Sequence, residues 1–452
     1  MTLRTTLTSM AALIGLAIAT PAKAETLNDA LVHAYEHSGL LQQNRALLRA
    51  ADEDVAIAVS ATMPVINWSI SATQQEPRAP GSDLIALNAA ISGSLTLYDG
   101  GANQLAIEAQ KELVLGTRQS LRNVEQQVLL RAIEAYMNVR RDSEFLALRQ
   151  NNVRVITQEL RAAQDRFDVG EVTRTDVSLA EARLASAKSL LASSQGNLAR
   201  SIEEFRVAVG RAPNNLRPVG PAPVSRSLAD AKAFAIRNHP NVLRARHAVT
   251  AAELNIRRAE TAFGPNLSAT ARAGVNQDLD YGREFGLNLS GPIYQGGRLS
   301  AQVRQFMARR DAERANLHIT NHNTEQGVGN AYSFLEVARA SRQASDQQTR
   351  AATVAFRGVR EEATLGARTT LDVLNAEQEL LDAQANAISA QADEVIASYS
   401  VLSSMGLLTA QHLRLPVQQY DPAAYYNLVK DAPTVTSEQG QALDRVLRAI
   451  GK

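Results

Sequence analysis

The sequence contains no cysteine. This absence excludes disulfide bonds, thiolate metal sites, cysteine nucleophiles and an acylated N-terminal cysteine of the lipoprotein type. Aromatic residues make up only 4% of the 452 residues, which is unlike a thick globular core and favours long, thin helices packed side by side. We therefore expect packing and assembly, not covalent cross-links, to stabilise the protein.

The chain also lacks an excess of charge of either sign. It has 47 Lys and Arg against 46 Asp and Glu, which gives a formal net charge of +1. A charge this small provides no field strong enough to hold nucleic acid or an anionic membrane surface. Nucleic acid is therefore not an expected partner.

Residues 1–24 have the pattern of a signal peptide. Arg4 provides a positive start, residues 10–19 are apolar, and residues 22–24 (Ala-Lys-Ala) place small side chains at the two positions that a signal peptidase reads. The apolar stretch is about half of the ~20 residues that a membrane-spanning helix needs, and no later stretch reaches that length without charges. We predict cleavage before Glu25 and an exported mature protein that has no transmembrane helix.

The two halves of the chain match each other in sequence at a constant offset. The YDGG sequence at 98–101 corresponds to YQGG at 294–297, and TRTDV at 173–177 corresponds to TTLDV at 369–373. Such a match over a long stretch is hard to obtain by chance and indicates an internal duplication. The predicted organisation is a first repeat at 25–210, a proline-rich linker at 211–226, a second repeat at 227–410 and a C-terminal periplasmic, equatorial segment and tail at 411–452.

Proline is missing from two long stretches, between residues 80 and 213 and between residues 292 and 416. Because an interior proline costs a helix about 3 kcal/mol, such stretches suit very long helices. At 1.5 Å per residue each of these helices would be roughly 100 Å long. The predicted helices are two long ones at 102–168 and 298–364, with shorter ones at 27–62 and 173–209 stacked end to end beside a long one.

Gly170 and Gly366 lie where the two long helices are predicted to end, and Thr173 and Thr369 follow them, each with an aspartate three residues later. A glycine stop followed by Thr-x-x-Asp is a variant capping box, in which the hydroxyl caps the helix and the carboxylate reaches back. We therefore predict a tight helical hairpin at both places. The capping carboxylates would be those of Asp176 and Asp372.

Four segments alternate strictly between apolar and small polar residues. Each is about the 9 to 11 residues that a tilted strand needs to cross a membrane, with small polar groups on the face that would line a wet lumen. The pattern alone leaves two interpretations open, a membrane-spanning sheet and a half-solvated sheet on a soluble protein. The segments are residues 66–73, 91–97, 267–275 and 284–293.

Membrane-spanning strands would have to close into a barrel. A lone four-stranded sheet in lipid leaves two edges of unpaired amides, and single-chain outer-membrane barrels begin at about eight strands. If the four strands cross a membrane, several chains must therefore share one barrel. Pro292, which has no amide hydrogen, is expected at a strand end.

The leader, the repeated plan of helix, strand, strand, helix, helix, and the YDGG and YQGG strand exits resemble the TolC family of outer-membrane efflux and type I secretion proteins. The hairpin sequences VGEVTRTDV and LGARTTLDVLNAEQ add to the resemblance, which covers nearly the whole mature chain. It implies a mixed α and β fold, in which a long periplasmic α-helical coiled-coil tunnel (an α-barrel) continues a membrane β-barrel. That barrel would have 12 strands, four from each protomer of a homotrimer.

The resemblance also implies a function and its partners. The trimer would be a passive exit duct in the Gram-negative outer membrane, with its helices in the periplasm. It would pass drugs or polypeptides onward from an inner-membrane ABC or proton-driven transporter and a periplasmic membrane-fusion adaptor.

Two sets of site residues follow from the resemblance. The adaptor-docking hairpin tips would be Val169, Gly170, Thr173, Leu365, Gly366 and Thr369, and the periplasmic gate would consist of Arg368, Asp372 and Asn375. One position departs from the family pattern, because a second aspartate often stands where this chain has Asn375. A three-fold ring of asparagine repels no anion and attracts divalent cations less, so a cation preference at the gate is in question.

Sequence motifs for covalent chemistry are missing. No P-loop, Rossmann glycine motif, HExxH or GxSxG is present, and the histidine pairs His33 with His37 and His318 with His322 have no evident third ligand nearby. We therefore expect neither a cofactor nor a metal, and a channel in preference to an exported enzyme. The alternative function is an exported soluble coiled-coil structural or adaptor protein with a small β-domain.

Overall fold

The computed structural model describes residues 24–74 and 85–450. The predicted signal peptide lies outside the described residues except for Ala24. Within the described ranges the order helix, helix, strand, strand, long helix, helix occurs twice, and two short helices follow. The elements are α1 (Leu27–His37), α2 (Gly39–Ser60), β1 (Val65–Gln74), β2 (Ile85–Tyr98), α3 (Ala102–Asp168), α4 (Arg174–Val209), α5 (Leu228–Asn238), α6 (Pro240–Thr261), β3 (Asn266–Asn276), β4 (Tyr281–Ser290), α7 (Arg298–Thr364), α8 (Thr370–Ser404), α9 (Pro422–Val429) and α10 (Glu438–Ile450).

The two long helices have the predicted bounds. α3 and α7 each contain 67 residues without a proline, and each begins after a glycine in the left-handed conformation, Gly101 or Gly297. α4 runs antiparallel to α3 and α8 runs antiparallel to α7, so that each long helix forms a hairpin with the helix that follows it. None of the helices in the described part of the chain is both long and apolar enough to cross a lipid bilayer.

The prediction of one continuous helix at 27–62 was wrong. The chain breaks at Ser38, which is extended at φ −67° and ψ 109° and whose hydroxyl accepts a hydrogen bond from the amide of Leu41. A serine at this position satisfies one of the free amides at the start of a helix and so favours a new helix there. The second half of the chain has the same break at His239, where Pro240 begins α6.

The four strands form one antiparallel sheet in the order β1-β2-β3-β4. Its register makes one face mostly apolar and the other mostly polar, with Arg283, opposite Ala273, as an exception on the apolar face. One row of neighbouring residues is apolar, with Ile66, Gly93, Ala271 and Phe285 side by side. The adjacent row on the opposite face is polar and consists of Asn67, Ser92, Arg272 and Glu284.

The apolar face of the sheet is uncovered in the protomer. Trp68 is 77% exposed and Phe285 is 83% exposed, values that such large side chains avoid in water. Among the described residues, β1 and β4 pair with another strand on one side only. A lipid phase or a partner would cover the apolar face, whereas only another strand would pair with the edges.

The bounds of the fourth strand differ from the prediction. The predicted segment was 284–293, whereas β4 begins at Tyr281 and ends at Ser290. Ile293 is fully exposed beyond the end of the strand. Pro292 cannot donate a ladder hydrogen bond, which explains why pairing has ended before it, and its place beyond the strand end is the one expected.

The main core lies midway along the long helices, where both halves of the chain meet. Tyr136 of α3 and Phe205 of α4 are fully buried there, together with Leu335 of α7 and Val401 of α8. The Tyr136 hydroxyl lies 3.0 Å from the carbonyl oxygen of Glu25 and 2.8 Å from that of Arg217. These contacts connect the helical core to the predicted linker and to the residue that follows the predicted cleavage site.

Glu25 precedes the first helix, and both its side chain and its backbone contact residues of the predicted linker. Its carboxylate forms a 2.7 Å ion pair with Arg211 and accepts a hydrogen bond from the amide of Asn214. Its backbone forms a short parallel bridge to Leu216, and its side chain is 97% buried in the ion pair. The linker therefore packs along the helices and closes over the N-terminal end of the fold.

The C-terminal segment also packs against the helices. The amide of Ala410 donates a 2.7 Å hydrogen bond to Glu125, and Leu415 is buried in the main core. Farther on, α9 lies against α2, and the Tyr425 hydroxyl donates a 2.5 Å hydrogen bond to Glu53. The part of the segment that the structure describes thus covers the middle of the helical body.

Asp52 is a fully buried carboxylate on α2, next to this contact. Neither of its oxygens has a hydrogen-bond partner among the described residues. Burial raises its pKa to about 6, an effect that the Arg118 guanidinium opposes and the Glu53 carboxylate strengthens. Because the pKa is raised in the folded state, the carboxyl group does not destabilise the fold below pH ~4, where it is protonated in both the folded and the unfolded state. This stability is lost as the pH rises through about 6, because the buried group then ionises.

Replacing Asp52 by Asn should therefore stabilise the protein near neutral pH. The ionised carboxylate costs up to roughly 3 kcal/mol there, so we expect the variant to unfold at a higher temperature at about pH 7 and almost unchanged at about pH 4. Thermal unfolding in detergent at the two pH values measures this. Asp54→Asn, an exposed carboxylate on the same helix, is the matched control, and an equal gain in both variants would contradict the assignment.

Candidate functional site

The first helical hairpin turns at Val169, one residue after α3 ends. Gly170 adopts φ +79°, and the amide of Glu171 donates a 2.9 Å hydrogen bond back to the carbonyl of Arg166. This left-handed stop satisfies carbonyls that the end of α3 leaves free. The backbone of Thr173 then begins α4.

The second hairpin repeats this geometry between α7 and α8. Gly366 adopts φ +76°, and the amide of Ala367 donates a 2.9 Å hydrogen bond to the carbonyl of Glu362. An added Cβ on Gly170 or on Gly366 would meet no atom within 4 Å, so only the backbone conformation requires glycine at these two turns.

Both hairpins close with a complete capping box. In the first, the amide of Thr173 donates a 2.9 Å hydrogen bond to Asp176, and the amide of Asp176 donates back to the Thr173 hydroxyl oxygen. In the second, the amide of Thr369 donates to Asp372 at 3.0 Å, and the return bond to the Thr369 hydroxyl is 3.2 Å long. The two boxes fix where α4 and α8 begin.

These hydrogen bonds keep the two aspartates ionised. The pKa of Asp372 lies below its usual value because the Thr369 amide and then the Thr369 hydroxyl donate to the charged form. The pKa of Asp176 is lowered as well, first by the Thr173 hydroxyl and then by its amide. In the protomer the Asp372 carboxylate, predicted as a gate residue, is thus engaged in the cap of its own helix.

The hairpin tips present apolar side chains to solvent. Val169 is 71% exposed and Leu365 is 84% exposed. Each follows directly on the last residue of a long helix, so the two residues mark the ends of the α3–α4 and α7–α8 hairpins. Both hairpins therefore present one exposed apolar side chain at a turn of fixed conformation.

Arg368 forms an ion pair within the second tip. Its Nε lies 2.8 Å from a carboxylate oxygen of Glu362, and both side chains are about half exposed. The hydrogen bond from Arg368 to Glu362 and the nearby Asp372 charge raise the pKa of the guanidinium further, so it stays charged. The structure therefore places Arg368 and Asp372 close together, whereas Asn375 contacts a different residue.

Asn375 accepts a 3.2 Å hydrogen bond from Arg183 of α4. This contact joins the two hairpins across 192 residues of sequence. Sequence reasoning missed Arg183, since nothing in the local pattern of α4 distinguishes one exposed arginine from its neighbours. Only the fold brings the two residues together.

A second missed residue, Glu377, lies two positions beyond Asn375 and is only 6% exposed. Its carboxylate accepts a 2.9 Å hydrogen bond from the buried side chain of Asn152 on α3. A sequence signal existed, because Glu377 falls at helical spacing between the buried Leu374 and Leu381 and so occupies a position of the apolar stripe.

Metal sites are not evident in the described residues. No group of three or more His, Cys, Asp and Glu side chains there could hold an ion. The Nε2 atoms of His318 and His322 lie 3.2 Å apart, whereas the rings of His33 and His37 are stacked with their centroids 5.3 Å apart.

Comparisons with known proteins agree on one family. Residues 30–211 and 234–407 match the family model described as outer membrane efflux protein. The outer membrane efflux protein BepC of Brucella suis biovar 1 (strain 1330) is 37% identical over 419 residues, which are 91% of this chain and 91% of BepC. The outer membrane protein TolC of Escherichia coli (strain K12) is 26% identical over 315 residues, 64% of this chain and 63% of TolC.

The fold also matches that of a solved channel. The Campylobacter jejuni CmeC outer membrane channel superposes with a TM-score of 0.77, covering 91% of this chain and 90% of CmeC, at 15% sequence identity. At that identity the similarity concerns the fold, which in both chains is mostly helical with a small sheet.

Removing the cap of α8 should loosen the second tip. Thr369→Ala deletes the hydroxyl that accepts from Asp372, at a cost of about 1 kcal/mol, so amides in the first turn of α8 should exchange with solvent about fivefold faster. Hydrogen exchange followed by mass spectrometry measures this. Thr364→Ala, which removes an exposed hydroxyl from the end of α7, serves as the control and should leave that turn unchanged.

Proposed function

This chain belongs to the outer membrane efflux protein family, the TolC family, and from that membership we propose how its parts build the duct. It is an exit duct of the efflux and type I secretion type, located in the Gram-negative outer membrane with its helices in the periplasm. The proposal concerns the assembly, the docking surface and the gate.

We propose that three copies assemble around one axis. The observation that carries this proposal is the two-faced sheet, which has an apolar face, a polar face and unpaired edges at β1 and β4. Three such sheets joined edge to edge form a 12-stranded barrel without a free edge, with apolar rows towards lipid and polar rows towards water. Of the two interpretations that the strand pattern left open, this proposal adopts the membrane-spanning one.

The helices would continue the barrel as a tunnel. α3 and α7 each rise roughly 100 Å at 1.5 Å per residue, which is enough to span much of the periplasm. Three copies of the α3–α4 and α7–α8 hairpins would form its wall. The element order that occurs twice supports an internal duplication, with repeats at 25–210 and 227–410, a linker at 211–226 and an equatorial segment from 411 onward.

The hairpin tips would be the docking surface for a periplasmic membrane-fusion adaptor. Val169 and Leu365 provide exposed apolar contacts, and Gly170 and Gly366 fix the turns that present them. Thr173 and Thr369 would act indirectly, by fixing where the next helix starts. Through the adaptor the duct would serve an inner-membrane ABC or proton-driven transporter.

The gate would lie just above the second tip. Arg368 lies just before the N-cap of α8, and Asp372 and Asn375 follow on the first turns of this helix, where three copies would approach the axis. Cargo, whether drugs or polypeptides, would then pass without covalent chemistry. The alternative of a soluble coiled-coil protein does not account for the uncovered apolar face of the sheet.

Single-channel conductance in a planar bilayer tests the duct and its gate together. Arg368→Ser removes the Glu362 ion pair, so we expect larger or more frequent conductance steps. Asn375→Asp places a ring of carboxylates at the axis, so we expect divalent cations to block the current. A protein that leaves the membrane without detergent and gives no conductance steps would contradict the membrane barrel.

Docking can be tested by changing one turn. Gly366→Val forces a β-branched residue into the left-handed conformation, at roughly 1–2 kcal/mol, and should displace the tip. We expect export in cells to fall while the trimer still inserts, measured by cargo export and by recovery of trimers from the outer membrane. Gly358→Val is the matched control, because Gly358 lies within α7 and an added Cβ there also meets no atom within 4 Å. Normal export by Gly366→Val would remove this residue from the docking surface.

A further inference from the structure

The α3–α4 and α7–α8 hairpins meet in a narrow contact near their tips. Its apolar part is a small buried cluster made of Ile156 from α3, Ala180 from α4 and Leu374 from α8. This cluster is separate from the main core and far smaller than it. Little apolar surface therefore holds the two hairpins together here, so that polar contacts at the same level carry more weight.

Glu377 lies next to this cluster, on the turn of α8 that follows Leu374. Both Glu377 and its partner Asn152 are 6% exposed, and the hydrogen bond between them is 2.9 Å long. The other carboxylate oxygen, Oε2, is buried and has no hydrogen-bond partner among the described residues. A carboxylate that is buried with one oxygen unpaired is costly when ionised and far less so when protonated.

Each helix at this contact presents its own charge or dipole to Glu377. From α3 come the Asn152 amide and the Glu159 carboxylate, and from α7 comes Arg360, which lies 3.5 Å from Glu159. Arg183 of α4 is engaged nearby with Asn375. Burial is the largest effect and raises the pKa of Glu377 to about 7, with a smaller rise from Glu159 and opposing effects from Asn152 and Arg360.

We propose that Glu377 is a positioning residue of the gate, which fastens the α7–α8 hairpin to the α3–α4 hairpin through Asn152 and whose proton sets how tightly they close. The proposal rests on the proposed function, in which Asp372 and Asn375 on the same helix, with Arg368 just before it, form the gate. α8 carries Asp372, Asn375 and Glu377 on its first turns, so a movement of α8 away from α3 moves all three.

The direction of the pH effect follows from the two environments. In the packed state the pKa of Glu377 is about 7, whereas in separated hairpins water would return it towards its usual value of 4.5. The packed state therefore holds the proton more tightly, and acid favours closed hairpins. This preference is lost as the pH rises through about 7. Between about pH 5.5 and about pH 8 the separation equilibrium should shift by up to roughly 30-fold.

Distances between the hairpins test the proposal without reference to transport. Because the chain has no cysteine, spin labels can be placed at Gln164→Cys on α3 and Ala355→Cys on α7, both exposed positions. Assemblies diluted with unlabelled chains would carry one labelled copy each. Pulsed EPR should show a longer or broader distance distribution at about pH 8 than at about pH 5.5.

Glu377→Gln and Glu379→Gln form the decisive pair of variants. Both remove one carboxylate from α8, but Glu379 is exposed. Glu377→Gln should keep the short distance at both pH values, whereas Glu379→Gln should follow the wild type. A wild-type pH response in Glu377→Gln, or its equal loss in Glu379→Gln, would overturn the proposal.

Asn152→Ala gives a second readout if Glu377→Gln does not assemble. It removes the donor that favours the ionised carboxylate, so the midpoint of the pH response should move to higher pH. An unchanged midpoint would also overturn the proposal. If Asn152 and Glu377 had purely structural roles, Asn152→Ala would lower stability without moving the midpoint of the pH response.

Conductance of the same variants separates the two claims. Wild-type channels should open more often at about pH 8 than at about pH 5.5, and Glu377→Gln channels should stay closed more often at both values. If the channels conduct but the distance between the two spin labels does not change with pH, the proposed role of Glu377 is refuted and the proposed duct is not. If the distance between the spin labels changes with pH but the protein never conducts, the proposed duct is refuted and the proposed role of the contact between the hairpins is not.

Discussion

Backbone hydrogen bonding at the edges of one small sheet constrains the whole molecule. β1 and β4 each pair on one side only, and the sheet they bound has an uncovered apolar face. No packing within the described part of the chain satisfies that face or those edges, and in the proposed trimer neighbouring copies and lipid would do so. The helices are arranged accordingly, because every strand connects directly to a helix that leads away from the sheet.

Patterns that repeat along the sequence could be predicted, and contacts across the fold could not. Proline-free stretches indicated the long helices α3 and α7, and alternation located the four strands, although β2 begins at Ile85, well before the predicted segment at 91–97. The breaks at Ser38 and His239 were missed because a single capping residue ended the helix inside an otherwise continuous pattern. Local chemistry decided those two positions against the longer-range periodicity.

The candidate site divides in the same way. Its turns and helix caps could be predicted from the sequence, because Gly366, Thr369 and Asp372 lie within one short motif. The polar contacts between hairpins were not, because Asn152 lies 225 residues before Glu377 and Arg183 lies 192 residues before Asn375. One sequence without relatives aligned to it carries no record of which distant residues touch.

The contacts of Glu25 bear on where cleavage at the predicted site would leave the new amino terminus. This residue, directly after the predicted cleavage site, forms an ion pair with Arg211, and its carbonyl lies near the hydroxyl of the buried Tyr136. The middle of the fold therefore packs around the residue that follows the predicted cleavage site. Cleavage at the predicted site would therefore create the new amino terminus next to Tyr136, within the same contacts that join residues 211–217 to the helices.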